Sequence, residues 1–253
     1  MTPVLLAFDT STEALAVALQ WPGGHCAWNG EGGAQASASL LPTVQRLLDE
    51  AGLTLADLDA IAFGRGPGAF TGLRTACSVA QGLAFGADKP VLPIDSLLIV
   101  AEDARAGCGL PPALEVAVAM DARMGELYAA RYRWAHGGWQ ALQAPGLWDP
   151  QTWVTACRGG GQNVQGSGGA EGMEGAEDGL AWAGSGLALL GDAFAAAAVG
   201  RAVCQDRAAA LLRLADLAWR SGGALPAEQA LPLYLRDKVA LTTAERLALK
   251  AGA

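Results

Sequence analysis

The segment best suited to binding an anion is a glycine-rich loop, Gly64–Arg74, with the sequence Gly-Arg-Gly-Pro-Gly-Ala-Phe-Thr-Gly-Leu-Arg. It lies between an apolar run that predicts a strand and a pattern that predicts a helix. Backbone N–H groups and the helix dipole favour a negative charge at such a junction. No Lys-Ser/Thr pair of a Walker A loop follows the glycines, and Ala69 stands where a dinucleotide-binding loop has its third glycine. The loop therefore predicts either a phosphate contact or a structurally tight turn.

A second polar set, Asp9-Thr10-Ser11-Thr12, joins two predicted strands. A carboxylate and hydroxyls at such a turn could hold Mg²⁺ and phosphate, or Asp9 could cap its own turn. The turn has no glycine that would let a phosphate approach the backbone closely. The residues that would contact a nucleotide or its phosphates are Asp9, Thr10, Gly66, Gly68 and Thr71.

Metal and proteolytic chemistry have little support in the sequence. The two histidines, His25 and His136, are far apart, and there is no H-E-x-x-H motif and no G-x-S-x-G elbow. The five cysteines show no C-x-x-C spacing, which disfavours a zinc ribbon or a disulfide framework. We therefore expect no metal site and no catalytic nucleophile or base.

Alternating elements must position these polar residues. Apolar runs at Val4–Phe8 and Leu15–Gln20 predict the strands on either side of Asp9. The other predicted elements of the first hundred residues are a strand at Cys26–Asn29, a helix capped by Ser39 and stopped by Gly52, a strand at Leu58–Phe63, a helix at Thr71–Phe85, a strand at Val91–Ile94 and a helix after Ser96. Strands followed by strand–helix alternation are typical of an α/β lobe.

The second half repeats the pattern of elements at the start of the chain. Ala7–Ala18 aligns without gaps on Ala119–Ala130, and Asp9 falls on Asp121. Each copy is a strand that ends in Asp, a turn and a second strand. Two such lobes, each with a central mixed sheet and flanking helices, predict a duplicated actin/hexokinase-like α/β fold. We expect lobes at 1–108 and 109–253, a helix at Ala208–Arg220, and a flexible glycine-rich insertion at about 158–180.

Charge restricts the partners. The 253 residues include 25 acidic and 17 basic side chains, for a net charge of −8, so direct binding of nucleic acid by this chain is disfavoured. A hydrophobic content of 52% excludes wholesale disorder.

Asp9 interrupts the short apolar run at the start, which predicts no signal peptide, and no stretch predicts a membrane span. The expected compartment is the cytoplasm.

Several motifs in order resemble the TsaB family, which serves the synthesis of threonylcarbamoyladenosine in bacterial tRNA. The resemblance covers residues 1–134 strongly and the remainder loosely. The motifs that carry it are Leu-Ala-Phe-Asp-Thr-Ser-Thr-Glu (6–13), Leu-Leu-Pro (40–42), the glycine-rich loop, Met-Asp-Ala-Arg-Met-Gly-Glu-Leu-Tyr (120–128) and Leu-Tyr-Leu-Arg (233–236). Members often carry a histidine before Leu-Leu-Pro, and this chain has Ala36 or a neighbour there.

The resemblance implies a catalytically inactive scaffold that pairs with a homologous subunit, TsaD, on which an ATPase, TsaE, docks. It implies contact with tRNA only through these partners, a homodimer as an alternative pairing, and ATP or ADP, if bound at all, at a subunit junction. The first two helices of the amino-terminal lobe would form the partner surface. The residues assigned to that surface are Leu40, Leu41, Val44, Leu48, Leu73, Arg74, Cys77, Ala80, Gln81 and Ala84.

The sequence leaves two other functions open. An autonomous small-molecule kinase or ATPase of the same fold would need intact phosphate turns, against which the turn at Asp9 argues. A peptidase would need a nucleophile and a base that the sequence does not offer.

Overall fold

The computed structural model describes residues 1–107, 114–159, 180–191, 201–202 and 206–236. The first sheet has five strands in the order β3-β2-β1-β4-β5. Its strands are β1 (Leu5–Asp9), β2 (Ala14–Trp21), β3 (Gly24–Glu31), β4 (Ala60–Gly66) and β5 (Val91–Asp95). β1 runs antiparallel to β2 and parallel to β4, so the turn at Asp9 and the start of the glycine-rich loop leave the sheet at neighbouring positions.

Three helices belong to the first half, namely α1 (Ala36–Ala51), α2 (Phe70–Ala87) and α3 (Ser96–Gly107). Gly52 ends α1 in the left-handed conformation (φ 67°), as predicted, and its N–H bonds back to the last turn. The prediction that Ser39 caps α1 is wrong, because a 3₁₀ turn at Gly33–Gln35 leads directly into the helix and starts it at Ala36.

Both faces of the first sheet are buried, which explains the continuous apolar runs in β1 and β4. Leu6 and Phe8 pack on one face against α1 and α2. The other face carries small residues and is covered mainly by a late helix, α5 (Arg207–Arg220). These small residues are Ala7, Ala16, Ala18, Ala60 and Ala62. The small side chains on this face thus allow α5 to approach the sheet closely.

The second sheet repeats the first, with the strand order β10-β9-β6-β7-β8. Its strands are β6 (Leu114–Asp121), β7 (Leu127–Ala135), β8 (Gly138–Trp148), β9 (Leu180–Ala183) and β10 (Arg201–Ala202). β6 takes the place of β1, antiparallel to β7 and parallel to β9. α3 packs on one face, and Trp153 of α4 (Pro150–Gly159) packs on the other. The predicted duplicated actin-like α/β fold is confirmed.

The course of the last hundred residues differs from the simple division into halves. α5 and the bridge between Leu225 and Val91 return the chain to the first sheet, although the sequence assigns this stretch to the second lobe. The boundary at residue 108 stays a prediction. Of the predicted glycine-rich insertion at about 158–180, residues 160–179 lie outside the described residues, while its ends fall in α4 and at the start of β9. In the ranges described above, no helix is both long and apolar enough to span a bilayer.

Candidate functional site: the cleft between the lobes

A cleft of about 790 Å³ lies between turns and helix ends from both halves of the chain. It is bordered by the turn after β1, the glycine-rich loop, the first turn of α3, the turn after β6 and the chain near its described end, 233–236. The duplicated hairpins therefore meet across one cavity. Both aspartates that the sequence singles out, Asp9 and Asp121, lie at or beside it.

Asp9 is fully buried, and its carboxylate is neutralised from within the chain. Oδ2 accepts a hydrogen bond of 2.6 Å from Nη2 of Arg207, the first residue of α5. The two oxygens also accept bonds from the backbone N–H of Ser11 (2.9 Å) and from its hydroxyl (3.0 Å). Sequence reasoning missed Arg207, since no local pattern links an arginine at the start of an apolar helix to a turn 198 residues earlier.

The glycines of the loop make room for that turn. A Cβ on Gly64 would lie 2.2 Å from Oδ1 of Asp9, one on Gly68 would lie 2.3 Å from the carbonyl oxygen of Ser11, and one on Gly72 would lie 1.9 Å from that of Thr10. In addition, the Thr10 hydroxyl donates to the Gly72 carbonyl at 2.6 Å. The loop and the turn therefore pack directly on each other, which is the tight-turn alternative that the sequence left open.

The residues at this turn do not fit a magnesium-bound phosphate. Asp9 has an arginine where a cation would bind, and the Ala69 N–H that opens α2 donates to the Ser11 carbonyl at 2.8 Å. The Gly66 N–H donates to the Ser96 hydroxyl at 3.1 Å. Asp9, Thr10 and Gly66 thus have partners inside the fold, and Gly68 packs on Ser11, which argues against their predicted role as phosphate contacts; that role stays a prediction. Thr71 is exposed on the first turn of α2.

Two glycines of α2 provide a matched test of this packing. Gly72→Ala is expected to lower the free energy of unfolding by about 1–3 kcal/mol, because its Cβ meets backbone that cannot move aside easily. A Cβ on Gly82 would have nothing within 4 Å of it, so Gly82→Ala is expected to raise stability by about 0.5–1 kcal/mol through helix propensity. Urea unfolding followed by tryptophan fluorescence measures both. Equal effects of the two substitutions would contradict the close approach at Gly72.

The second turn keeps its aspartate on the surface. Oδ1 of Asp121 accepts the Arg123 N–H at 2.7 Å, so the aspartate caps its own turn. The Arg123 guanidinium reaches across the cleft to Glu13 at 2.8 Å, but the two side chains are 72% and 81% exposed. An ion pair so open to solvent contributes little to stability. Asp9 and Asp121 therefore occupy equivalent positions in the two hairpins but very different environments.

The predicted partner surface is mostly core. At most 6% of the surface of any of these residues is exposed: Leu40, Val44, Leu48, Leu73, Cys77, Ala80 and Ala84. These side chains face the interior of their lobe and cannot contact a partner, and a charge at Ala80 would disrupt the core. Leu41 (48% exposed) and Arg74 remain on the surface, and Gln81 is half-buried, with its amide donating to the Ala227 carbonyl. The structure adds Phe85, which is 60% exposed on α2.

Reactive side chains are not assembled in the described part of the chain. No three His, Cys, Asp or Glu side chains there are placed to hold a metal ion. Burial raises the pKa of the thiols of Cys77 and Cys157 to about 12, so both are protonated and unreactive at neutral pH. Burial also raises the pKa of Asp95, whose carboxylate accepts a 2.5 Å hydrogen bond from the Tyr132 hydroxyl across the lobes.

A buried carboxylate farther along α3 joins three elements. Glu102 is fully buried and accepts bonds from Arg105 of the same helix (both 2.8 Å), from Nε of Arg213 on α5 (2.5 Å) and from the indole of Trp139 on β8 (3.0 Å). Since α5 covers the first sheet and β8 belongs to the second, this cluster ties the lobes together away from the cleft.

Comparison with known proteins identifies the group to which these features belong. A family model described as TsaD, tRNA N6-adenosine threonylcarbamoyltransferase, matches residues 33–245. Two proteins named "tRNA threonylcarbamoyladenosine biosynthesis protein TsaB" match part of the chain. The one from Haemophilus influenzae is 48% identical over 124 residues, and the one from Escherichia coli is 40% identical over 157. These alignments cover 49% and 58% of this chain.

The same alignments cover 51% and 63% of the two TsaB proteins, so the chain spans only about half to three fifths of the curated relatives that it matches. A solved structure, YeaZ from Pseudomonas aeruginosa, superposes with a TM-score of 0.73 at 37% identity, covering 92% of this chain and 100% of that one. On this breadth of agreement in sequence and fold, the chain belongs to the TsaB (YeaZ) family, within the wider group that the threonylcarbamoyltransferase model describes.

Proposed function

We propose that this chain is a non-catalytic scaffold of the complex that forms threonylcarbamoyladenosine next to the anticodon, at the adenosine on its 3′ side, in tRNAs reading codons that begin with A. The observation that carries the proposal is the buried pair of Asp9 and Arg207, because a carboxylate that is neutralised by an internal arginine is not free to bind the cation of a nucleotide. The names of the TsaB relatives supply the pathway.

The transfer itself is assigned to a homologous TsaD-type subunit, with a TsaE-type ATPase as a further partner. The close packing of the glycine-rich loop on its own turn argues against a nucleotide at this hairpin, and we therefore propose a subunit junction as the place for any ATP or ADP. In the described residues, the turn at Asp9 offers an autonomous kinase no free phosphate-binding groups, and no cysteine there is both exposed and reactive as a peptidase nucleophile would have to be. The net charge of −8 supports contact with tRNA through the partners, and work on tRNA implies the cytoplasm.

The partner surface that we propose is the outer side of α1 and α2, which cover the same face of the first sheet. Leu41 on α1 and Phe85 on α2 are large apolar side chains that are about half exposed or more, and Arg74 adds a charge. Apolar anchors with a nearby arginine are typical of protein interfaces. A second copy of this chain could use the same surface, which would give a homodimer when the partner is absent.

Reconstitution tests the proposal. Purified TsaD- and TsaE-type subunits, supplied with threonylcarbamoyl-adenylate, ATP and tRNA, are expected to modify tRNA efficiently only when this chain is added. Leu41→Asp combined with Phe85→Asp is expected to reduce the rate at least about tenfold, because two charges would be desolvated in the interface. Mass spectrometry of digested tRNA measures the product, and co-purification measures the complex.

The control is Leu189→Asp, which places one aspartate at a 39% exposed leucine of the second lobe and is expected to leave the rate unchanged; Leu41→Asp alone is the single-charge variant to compare with it. Thermal unfolding checks that each variant is folded. Modification without this chain, or by this chain alone, would refute the scaffold function. A folded Leu41/Phe85 variant that still binds its partner would refute the proposed partner surface but would not bear against the scaffold function.

A further inference from the structure

The segment Leu233–Arg236 is anchored on the first lobe. The Leu233 N–H donates to the Arg65 carbonyl at 2.7 Å, at the start of the glycine-rich loop. Gly66 has a φ of 109°, and a Cβ there would lie 2.9 Å from the Leu233 carbonyl oxygen. The positive φ and the missing side chain therefore let the segment lie directly on the loop.

The next residue of the segment packs on the first turn of α2. The ring of Tyr234 lies 5.2 Å from that of Phe70, and the Arg74 guanidinium lies 4.0 Å from the centre of the same Phe70 ring. Arg74 Nε also donates to the Tyr234 hydroxyl at 3.2 Å. Aromatic contact, cation–π contact and hydrogen bond together join the segment to the helix.

The last residue of the segment crosses to the second lobe. Arg236 is paired with Glu126, and its guanidinium also reaches the Arg123 carbonyl (3.4 Å) and the Met124 sulfur (3.5 Å). Its side chain is only 13% exposed, so salt screens this contact less than the open pair between Arg123 and Glu13.

The turn that Arg236 holds is a strained one. Arg123 and Met124 both have left-handed backbones, with φ of 66° and 59°, although neither is glycine. Such a conformation persists where the surroundings stabilise it. The Glu126 N–H bonds to the Arg123 carbonyl, the oxygen that also accepts from Arg236, so contact with Arg236 and closure of the turn share an atom.

We propose that Leu233–Arg236 is a latch that couples the first turn of α2 in one lobe to the turn between β6 and β7 in the other, and thereby sets the width of the cleft mouth. The latch is fixed to the first lobe by Leu233 and Tyr234 and closes on the second through Arg236. Loss of either end releases the strained turn. The latch works in the chain by itself and does not depend on the proposed scaffold function.

Hydrogen exchange of the full chain at neutral pH tests the latch. Arg236→Ala is expected to speed exchange of the Ala122 and Glu126 amides, which bond across the turn, by about five- to tenfold. Tyr234→Ala is expected to speed the exchange of the same two amides, although Tyr234 contacts α2 rather than the turn. Arg220→Ala removes an ion pair with Asp216 inside α5 and is expected to leave them at the wild-type rate.

Amides of β1 in the same sample distinguish a latch from general destabilisation. The latch would be overturned if the exchange rate of the turn amides were unchanged in either variant. It would also be overturned if exchange were accelerated equally in the turn and in β1. Arg236→Lys keeps a charged donor near Glu126 and the Arg123 carbonyl and is expected to retain at least half of the protection that Arg236→Ala loses. If Arg236→Lys exchanged as fast as Arg236→Ala, in a variant whose β1 amides remain protected, the latch would equally be overturned.

Discussion

Replacement of Arg207 by methionine is expected to lower the free energy of unfolding by about 3–5 kcal/mol, because it leaves the fully buried Asp9 carboxylate without its counter-charge. Methionine retains most of the volume of the side chain, so the loss reports chiefly on charge and hydrogen bonding rather than on a cavity. Urea unfolding of the purified chain, followed by tryptophan fluorescence, measures the change.

Two further variants complete this experiment. Asp9→Asn in the Arg207→Met background removes the unpaired charge, keeps an oxygen for the Ser11 N–H and is expected to recover about half of the loss or more. Arg220→Met breaks an ion pair whose arginine is 65% exposed and is expected to cost under about 0.5 kcal/mol. If Arg207→Met costs no more than Arg220→Met, the pair with Asp9 is not a stabilising element of the first lobe.

Glu102→Gln is expected to lower the free energy of unfolding by about 2–3 kcal/mol, which is the largest expected loss after that of Arg207→Met. The substitution keeps the shape of the side chain but removes the charge that accepts bonds from Arg105, Arg213 and Trp139. The cost is smaller than for Arg207 because the two arginines are 25% and 39% exposed and can be partly rehydrated. The same unfolding experiment measures it.

The stabilisation of the fold by Glu102 is expected to decrease as the pH falls. Burial alone would raise its pKa, but the hydrogen bonds from Arg105, Arg213 and Trp139 outweigh burial and hold the pKa below its ordinary value of 4.5. A lowered pKa in the folded state stabilises the fold above that ordinary value and ceases to do so as the pH falls through the lowered one. The difference between the wild type and Glu102→Gln should therefore shrink below about pH 4.5. A difference that stayed constant on acidification would contradict the ionised cluster.

Local patterns in the sequence were sufficient to predict the strands and helices of the first hundred residues, the repeated hairpin and α5, since apolar runs and helical spacing report directly on backbone conformation. They did not predict β8, β9 or α4. They could not separate core from surface on α1. Leu40 and Leu41 are adjacent leucines of one helix, yet Leu40 is fully buried and Leu41 is 48% exposed. Only the direction in which the helix packs on the sheet decides between them, and that direction is a property of the tertiary structure.

The site shows the same limit. Glycines near a strand–helix turn predict that another group, either a ligand or a part of the chain, lies close to the backbone. In the structure that group is the backbone of Thr10 and Ser11. The partner of Asp9 was beyond local reasoning because Arg207 follows it by 198 residues in the sequence. The loop pattern therefore indicated the place correctly, while the identity of what fills it depended on a long-range contact.

The return of α5 to the first sheet has a consequence for biosynthesis. A ribosome finishes β1 long before it makes Arg207, which follows Asp9 by 198 residues. During that interval the alanine-lined face of the first sheet lacks its covering helix and Asp9 lacks its counter-charge. Although domains generally fold in the order of their synthesis, here the lobe that is begun first is completed last, after the second lobe has largely been made.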